Sequence, residues 1–150
     1  MKIQMILNGK PQAFEVAPDE MLLDTLRNHG LLSVRRGCES TTCGICTVLL
    51  EGRPVPSCSV LSVRTDKKNV TTVEGITEEA EKLSRHFGNE GADQCGFCNP
   101  SLALAVYALK RTNPQATLPE IEKWLVGNLC RCSGYQSQHQ AIQAYLKEKP

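Results

Sequence analysis

Lys2 to Leu7 alternates polar and apolar side chains, placing Ile3, Met5 and Leu7 on one face, the period-two signature of a half-buried strand. Asn8-Gly9-Lys10-Pro11 is a hairpin turn signal, and Gln12 to Val16 is the expected return strand. After Pro18 the period changes. Met21, Leu22, Leu23 and Leu26 recur at helical spacing, with Asp19 as the expected N-cap and Gly30 where a helix C-cap belongs. Thr47 to Leu50 reads as a strand, Glu51-Gly52-Arg53-Pro54 as a turn, and the segment leading to Cys58 as the way back. Asn69 to Val73 is one further strand. From Thr77 onward β-branched alternation gives way to helical spacing. Helices are expected over Glu78–Phe87, over Ser101–Arg111 with Asn99 as N-cap and Pro100 at N1, from Pro119 to about Val126, and over Gln138–Lys147. The pattern predicts an α+β chain: a strand-rich unit over residues 1–76, then a small four-helix unit over 77–150.

Composition narrows the picture. The chain has 150 residues, 41% hydrophobic and 22% charged, which suits one domain or two small ones with a buried core. A formal net charge of +1 offers no handle for nucleic acid or an anionic membrane surface. No apolar run approaches a membrane span, and polar residues interrupt the first ten positions too early for a secretory signal, so a cytoplasmic location is expected.

The chemistry lies in eight cysteines. Cys38, Cys43 and Cys46 stand in the spacing C-x4-C-x2-C, and Cys58 follows. This is the plant-type [2Fe–2S] spacing, three thiolates from one tight loop and a fourth from further along. Gly37 and Gly44 let that loop bend sharply and bring backbone N–H groups near sulfur, and Gly96 holds the matching place beside the second group. Strand, hairpin, helix, cysteine loop and further strands is the layout of a β-grasp ferredoxin.

The other four cysteines fall in the helical half, as Cys95-Gly96-Phe97-Cys98 and Cys130-Arg131-Cys132. Antiparallel helices would bring the pairs together, and a helix N-terminus favours a thiolate. Alone, these four also suit zinc, although C-x-C is less usual there than a second C-x2-C. A secreted disulfide framework is disfavoured by chain length, by the absence of a signal sequence and by the close C-x2-C and C-x-C spacings. No nucleophile–base pair, G-x-G-x-x-G or Walker pattern is present.

Taken together, the run Cys38 to Val48, the string Gln94-Cys95-Gly96-Phe97-Cys98 with Pro100, and Gly127-Asn128-Leu129-Cys130-Arg131-Cys132-Ser133-Gly134-Tyr135 resemble the iron–sulfur subunit of the xanthine oxidase family of molybdenum hydroxylases. The resemblance implies a β-grasp domain with an outer [2Fe–2S] cluster on Cys38, Cys43, Cys46 and Cys58. It also implies a helical domain with an inner cluster on Cys95, Cys98, Cys130 and Cys132. It implies further that Gln94 and Cys132 lie close to the molybdopterin of a large subunit, and that an FAD subunit or another acceptor takes the electrons. The chain would then be the electron-transfer subunit of an oxidoreductase, with no substrate site of its own. The alternatives are a free-standing two-cluster carrier and a structural zinc protein.

The chain departs from the family pattern in places. Relatives often have glycine just before the second cysteine, where this chain has Ser40-Thr41-Thr42; β-branched bulk there makes φ > 0 costly, so a differently shaped loop is expected. Asn99 replaces the usual threonine and Ser101 the usual glycine. After Gly134-Tyr135-Gln136 a proline and an aliphatic residue are usual, but here Ser137-Gln138-His139-Gln140 is polar, leaving the start of the last helix open. His29, His86 and His139 are expected at the surface or as caps, Trp124 and Phe97 as core or interface anchors, and Glu78 to Lys82 as a solvated helix face.

Overall fold

A hairpin starts the chain because its turn residues suit it: Asn8 and Gly9 both hold positive φ, as a tight two-residue turn requires. In the computed structural model, which describes residues 1–148, strands β1 (Lys2–Leu7) and β2 (Lys10–Glu15) flank that turn. The end of the helical unit, at 149 and 150, lies outside the described residues. Ile3, Met5 and Leu7 are buried and their neighbours exposed, as the alternation predicts.

Helix α1 (Leu22–Asn28) starts later than Asp19 would allow, and Asp19 does not cap it. Long-range pairing claims the intervening residues: Leu22 N–H donates to Val60 O at 2.7 Å and Ser62 N–H to Glu20 O at 2.8 Å. Gly30 ends the helix in the left-handed conformation, and Leu31 N–H reaches back to Leu26 O at 3.0 Å.

Strands β3 (Thr47–Leu50), β4 (Arg53–Pro56) and β5 (Asn69–Thr71) complete a sheet of order β2-β1-β5-β3-β4. Glu51 and Gly52 alone make the β3–β4 turn, and Arg53-Pro54 already belongs to β4. Pro11 in β2 and Pro54 and Pro56 in β4 are tolerated because both are edge strands, where a missing N–H breaks no ladder. Val73 lies beyond β5, in a 3-10 turn.

The helical half comprises α2 (Thr77–Asn89), α3 (Asn99–Thr112), α4 (Leu118–Trp124) and α5 (Gln136–Lys147). Asn99 is the first residue of α3 rather than its cap: Cys98 holds the cap position, and Asn99 Nδ2 donates to Asp93 Oδ1 at 2.9 Å. Thr117 and Glu120 form a capping box at the start of α4. Helix α5 begins at Gln136, two residues before its expected start, which carries Gln138 inward.

Strand β3 joins the halves. Val48 points into the core formed with Ile3, Met5, Leu22 and Leu26, while Leu49, on the opposite face, packs with Leu102, Val106 and Ile142 of the helices. One sheet therefore backs two cores. Glu79 is not a freely solvated residue of α2: it binds Lys82, Lys110 and the Tyr145 hydroxyl. Among the described residues no helix is long and apolar enough to cross a membrane.

Candidate functional site

Eight free thiols are held at the junction of the two halves. The first group is set by the loop between α1 and β3. Within the Ser40-Thr41-Thr42 segment it is Thr41 that takes the costly left-handed conformation, with φ of 58°. In this loop the backbone N–H groups of Cys43, Ser40 and Thr42 face the Cys38 sulfur. With the Cys43 thiol beside it, they bring the Cys38 thiol down to about 6. Ile45 N–H points at Cys43 Sγ at 3.5 Å. Cys46 and Cys58 lie side by side against the core of the strand-rich half. Burial, the adjoining Cys46 thiol and the nearby sulfurs push the Cys58 thiol up to about 12.

The glycines act by proximity. A Cβ on Gly37 would meet Ile45 Cγ1 at 2.7 Å and Cys43 Sγ at 3.2 Å. A Cβ on Gly44, where φ is +68°, would lie 2.1 Å from Gly127 O. Gly44 is thus where the first cysteine loop presses on the segment carrying the second group. Leu129 N–H seals that contact by donating to Cys43 O at 2.9 Å.

The second group is assembled by two helix ends. Cys98 caps α3, and Ser101 Oγ donates to its carbonyl at 3.0 Å. Cys130 and Cys132 lie between α4 and α5, with Cys130 N–H held by the Tyr135 hydroxyl at 3.1 Å. Cys132 Sγ is 3.5 Å from Cys95 Sγ, and Phe97 N–H points at Cys95 Sγ at 3.5 Å. Cys98 pairs with Cys130, and burial with that neighbour pushes the Cys98 thiol up to about 11. Burial also acts to raise the Cys130 thiol. The Ser133 hydroxyl at 3.2 Å and backbone N–H at 3.4 Å, with further help from Cys132 N–H and the Cys98 thiol, outweigh it and leave Cys130 at about 7.

The thiols therefore stand as four pairs: Cys38 with Cys43, Cys46 with Cys58, Cys95 with Cys132, and Cys98 with Cys130. Among the described residues no three His, Cys, Asp or Glu side chains converge on one ion-sized point. Two pairs per group are what a binuclear cluster needs, two thiolates for each iron. The N–H groups aimed at sulfur suit ligands that carry negative charge. The residues present thus fit a [2Fe–2S] cluster in each group.

Cys43 and Ile45 of the first group share one apolar contact with Cys98 and Cys130 of the second, so the groups abut. A cavity of about 290 Å³ opens between them, its walls including Gly37, Cys43, Phe97, Cys130 and Arg131. Arg35 spans the junction: Nη1 donates to Gly96 O at 2.6 Å, and its guanidinium stacks over Phe97. No motif pointed to Arg35, because its partner lies 61 residues away.

Cys95, Cys132 and Gln94 are exposed and line one crevice together with Gln138. Phe97 is 44% exposed and Leu129 47%, and both border the cysteine cavity. Trp124 is only partly covered and donates its indole N–H to Ala105 O at 2.8 Å. The histidines stay outside both groups: His29 bonds Thr25 O, His86 bonds Glu148, and His139 stacks on Tyr135.

Comparison with known proteins agrees with this arrangement. Residues 5–73 match the family described as a 2Fe-2S iron-sulfur cluster binding domain, and residues 72–143 the family described as a [2Fe-2S] binding domain. The chain is 40% identical over 144 residues to the nicotinate dehydrogenase small FeS subunit of Eubacterium barkeri, spanning 94% of this chain and 92% of that protein. It is 39% identical over 138 residues to the xanthine dehydrogenase iron-sulfur-binding subunit of Escherichia coli O157:H7, with 89% and 87% covered. Its fold matches a chain of quinoline 2-oxidoreductase from Pseudomonas putida 86 with a TM-score of 0.90 at 37% identity, covering 97% of this chain and 93% of that one.

Proposed function

Because the chain belongs to the iron–sulfur subunits of the xanthine oxidase family of molybdenum hydroxylases, we propose that it relays electrons from a molybdopterin site on a large partner subunit to FAD on a medium subunit, or to another acceptor. Cys38, Cys43, Cys46 and Cys58 hold the outer cluster in this reading, and Cys95, Cys98, Cys130 and Cys132 the inner one, with the two units dividing near residue 76. When bound, each [2Fe–2S] cluster takes up and releases one electron at a time.

The single observation that carries the reading is the arrangement of thiols, paired two and two in each group and abutting through Cys43 and Cys98. The chain's own residues supply the rest. Ser40, Thr42 and Cys43 N–H groups hold charge on Cys38, and Ser133 does so on Cys130. The apolar wall around Cys46 and Cys58 keeps water from that side of the outer quartet. The bond from Leu129 N–H to Cys43 O ties the backbone beside Cys130 to the first group, a short route for the electron.

The exposed sulfurs of Cys95 and Cys132, flanked by Phe97 and Leu129, form the face that the large subunit covers, and there Gln94 and Cys132 approach the pterin. Excluding water there strengthens each N–H···S bond, which offsets part of the cost of covering a charged cluster. Eight cysteines serving as cluster ligands rather than in disulfides suit a reducing compartment, and a cytoplasmic location goes with this reading.

Purification of the tagged chain from its native cells tests the reading. Recovery with a larger molybdenum-containing chain, whose substrate bleaches the visible absorbance of the clusters anaerobically, is expected. A colourless zinc protein, or a stable monomer free of molybdenum, would refute it.

A further inference from the structure

Gln138 is the residue of the polar Ser137–Gln140 segment that the fold turns most deeply inward. It is 3% exposed, in the first turns of α5, facing the second cysteine group. A buried carboxamide needs a partner, because an unmet one keeps the full penalty of leaving water. Among the described residues its side chain has one, the sulfur of Cys98, with Nε2 to Sγ at 3.6 Å, an ordinary separation for the larger sulfur atom. Charge fixes the orientation of the amide. A thiolate repels the carbonyl oxygen Oε1 and attracts N–H, so the donor faces sulfur. Cys98 is itself buried, leaving little water to compete for that lone pair.

We propose that Gln138 raises the reduction potential of the inner cluster by donating this hydrogen bond to Cys98. The proposal rests on the ligand assignment above. Reduction adds one electron to the cluster and no proton, so negative charge on the ligand sulfurs grows. An N–H donor stabilises the reduced state more than the oxidised one, and the midpoint moves up. The consequence is a cluster that accepts electrons more readily from the site where they enter.

The test is an EPR-monitored redox titration of the purified complex, wild type against Gln138→Met, a near-isosteric change that removes the donor. The inner signal is identified as the one lost in Cys98→Ser. The inner midpoint is expected to become more negative in Gln138→Met while the outer midpoint stays fixed, so each sample carries its own control. An unchanged inner midpoint, or an equal shift of both, overturns the proposal. Should the methionine variant lose its inner cluster, Gln138→Leu decides, since it too removes the donor while keeping an apolar side chain of similar length. Loss of the cluster there too would make Gln138 a structural residue and overturn the proposal equally. Failure of the ligand assignment looks different: the wild type would not give two [2Fe–2S] signals at all.

Discussion

Gly44→Ala should separate the two halves at their tightest contact. The new Cβ would sit 2.1 Å from Gly127 O, where real Cβ contacts do not fall below 3.0 Å, so one backbone must retreat by roughly 1 Å. The neighbour is a carbonyl in a chain turn and not a flexible side-chain tip, so the strain has no cheap release. The left-handed φ of +68° adds about 1 kcal/mol for any residue with a Cβ. Moving Gly127 and Asn128 also pulls Leu129 N–H from Cys43 O, worth about 1 kcal/mol, and over-packing at the contact costs a further 1–3 kcal/mol, roughly. The sum is about 3–5 kcal/mol. Gly52→Ala is the control: its φ is +77°, but a Cβ there meets nothing within 4 Å, so only the backbone cost of about 1 kcal/mol remains. At about 2–4 °C per kcal/mol for a chain of this size, thermal midpoints of the cluster-loaded protein should fall by about 3 °C for Gly52→Ala and about 10 °C or more for Gly44→Ala. Far-UV circular dichroism and visible absorbance of the clusters should follow together. Equal midpoints for the two variants would refute the close contact between the halves.

Thr41→Gly should stabilise the outer cysteine loop by about 1 kcal/mol, since Thr41 and not Thr42 holds the left-handed φ, and Thr42→Gly should not; thermal unfolding of both variants checks this. The Glu79 carboxyl is held down to about 2 by Lys82, the Tyr145 hydroxyl and Lys110, opposed by burial. Its folded value lies below its unfolded one, so its contribution is present above pH 4.5 and is lost as pH falls from there toward 2. The shift bounds that contribution at about 3 kcal/mol, and with the side chain 25% exposed, solvent screening brings it to about 1–2 kcal/mol. Glu79→Gln should lower denaturant stability at neutral pH by that amount and flatten the acid limb of its pH profile. Arg35→Met should loosen the Cys95–Cys98 loop by removing the bond to Gly96 O and the stacking on Phe97. The inner cluster should then be lost faster to a chelator, and Arg35→Lys should restore retention only in part, because lysine lacks the planar stacking face.

The spacing of Cys38, Cys43 and Cys46 was legible as cluster chemistry because ligand geometry constrains local sequence, whereas the G-N-L-C-R-C-S-G-Y string was legible only through the family resemblance. The alternation in β1 and the Asn8-Gly9 turn were legible because period and positive φ are local properties. The readings that failed did so where a distant partner decided. Asp19 reads as a cap until Val60 and Ser62 claim the backbone around Leu22. Asn99 is the local exception: it reads as a cap until Asp93, only six residues before it, binds its amide. Glu79 reads as solvated until Tyr145, 66 residues away, reaches it. The contact of Gln138 with Cys98 spans 40 residues, and no window of sequence contains both.

The central claim, two separate binuclear clusters on two cysteine quartets, is tested most directly by EPR of the dithionite-reduced protein with one quartet broken at a time. Two distinct signals are expected in the wild type, with iron and sulfide at about four of each per chain. Cys46→Ser should remove one signal and leave the other, and Cys98→Ser should do the reverse. A single signal, or the loss of the same signal in both variants, would contradict the account.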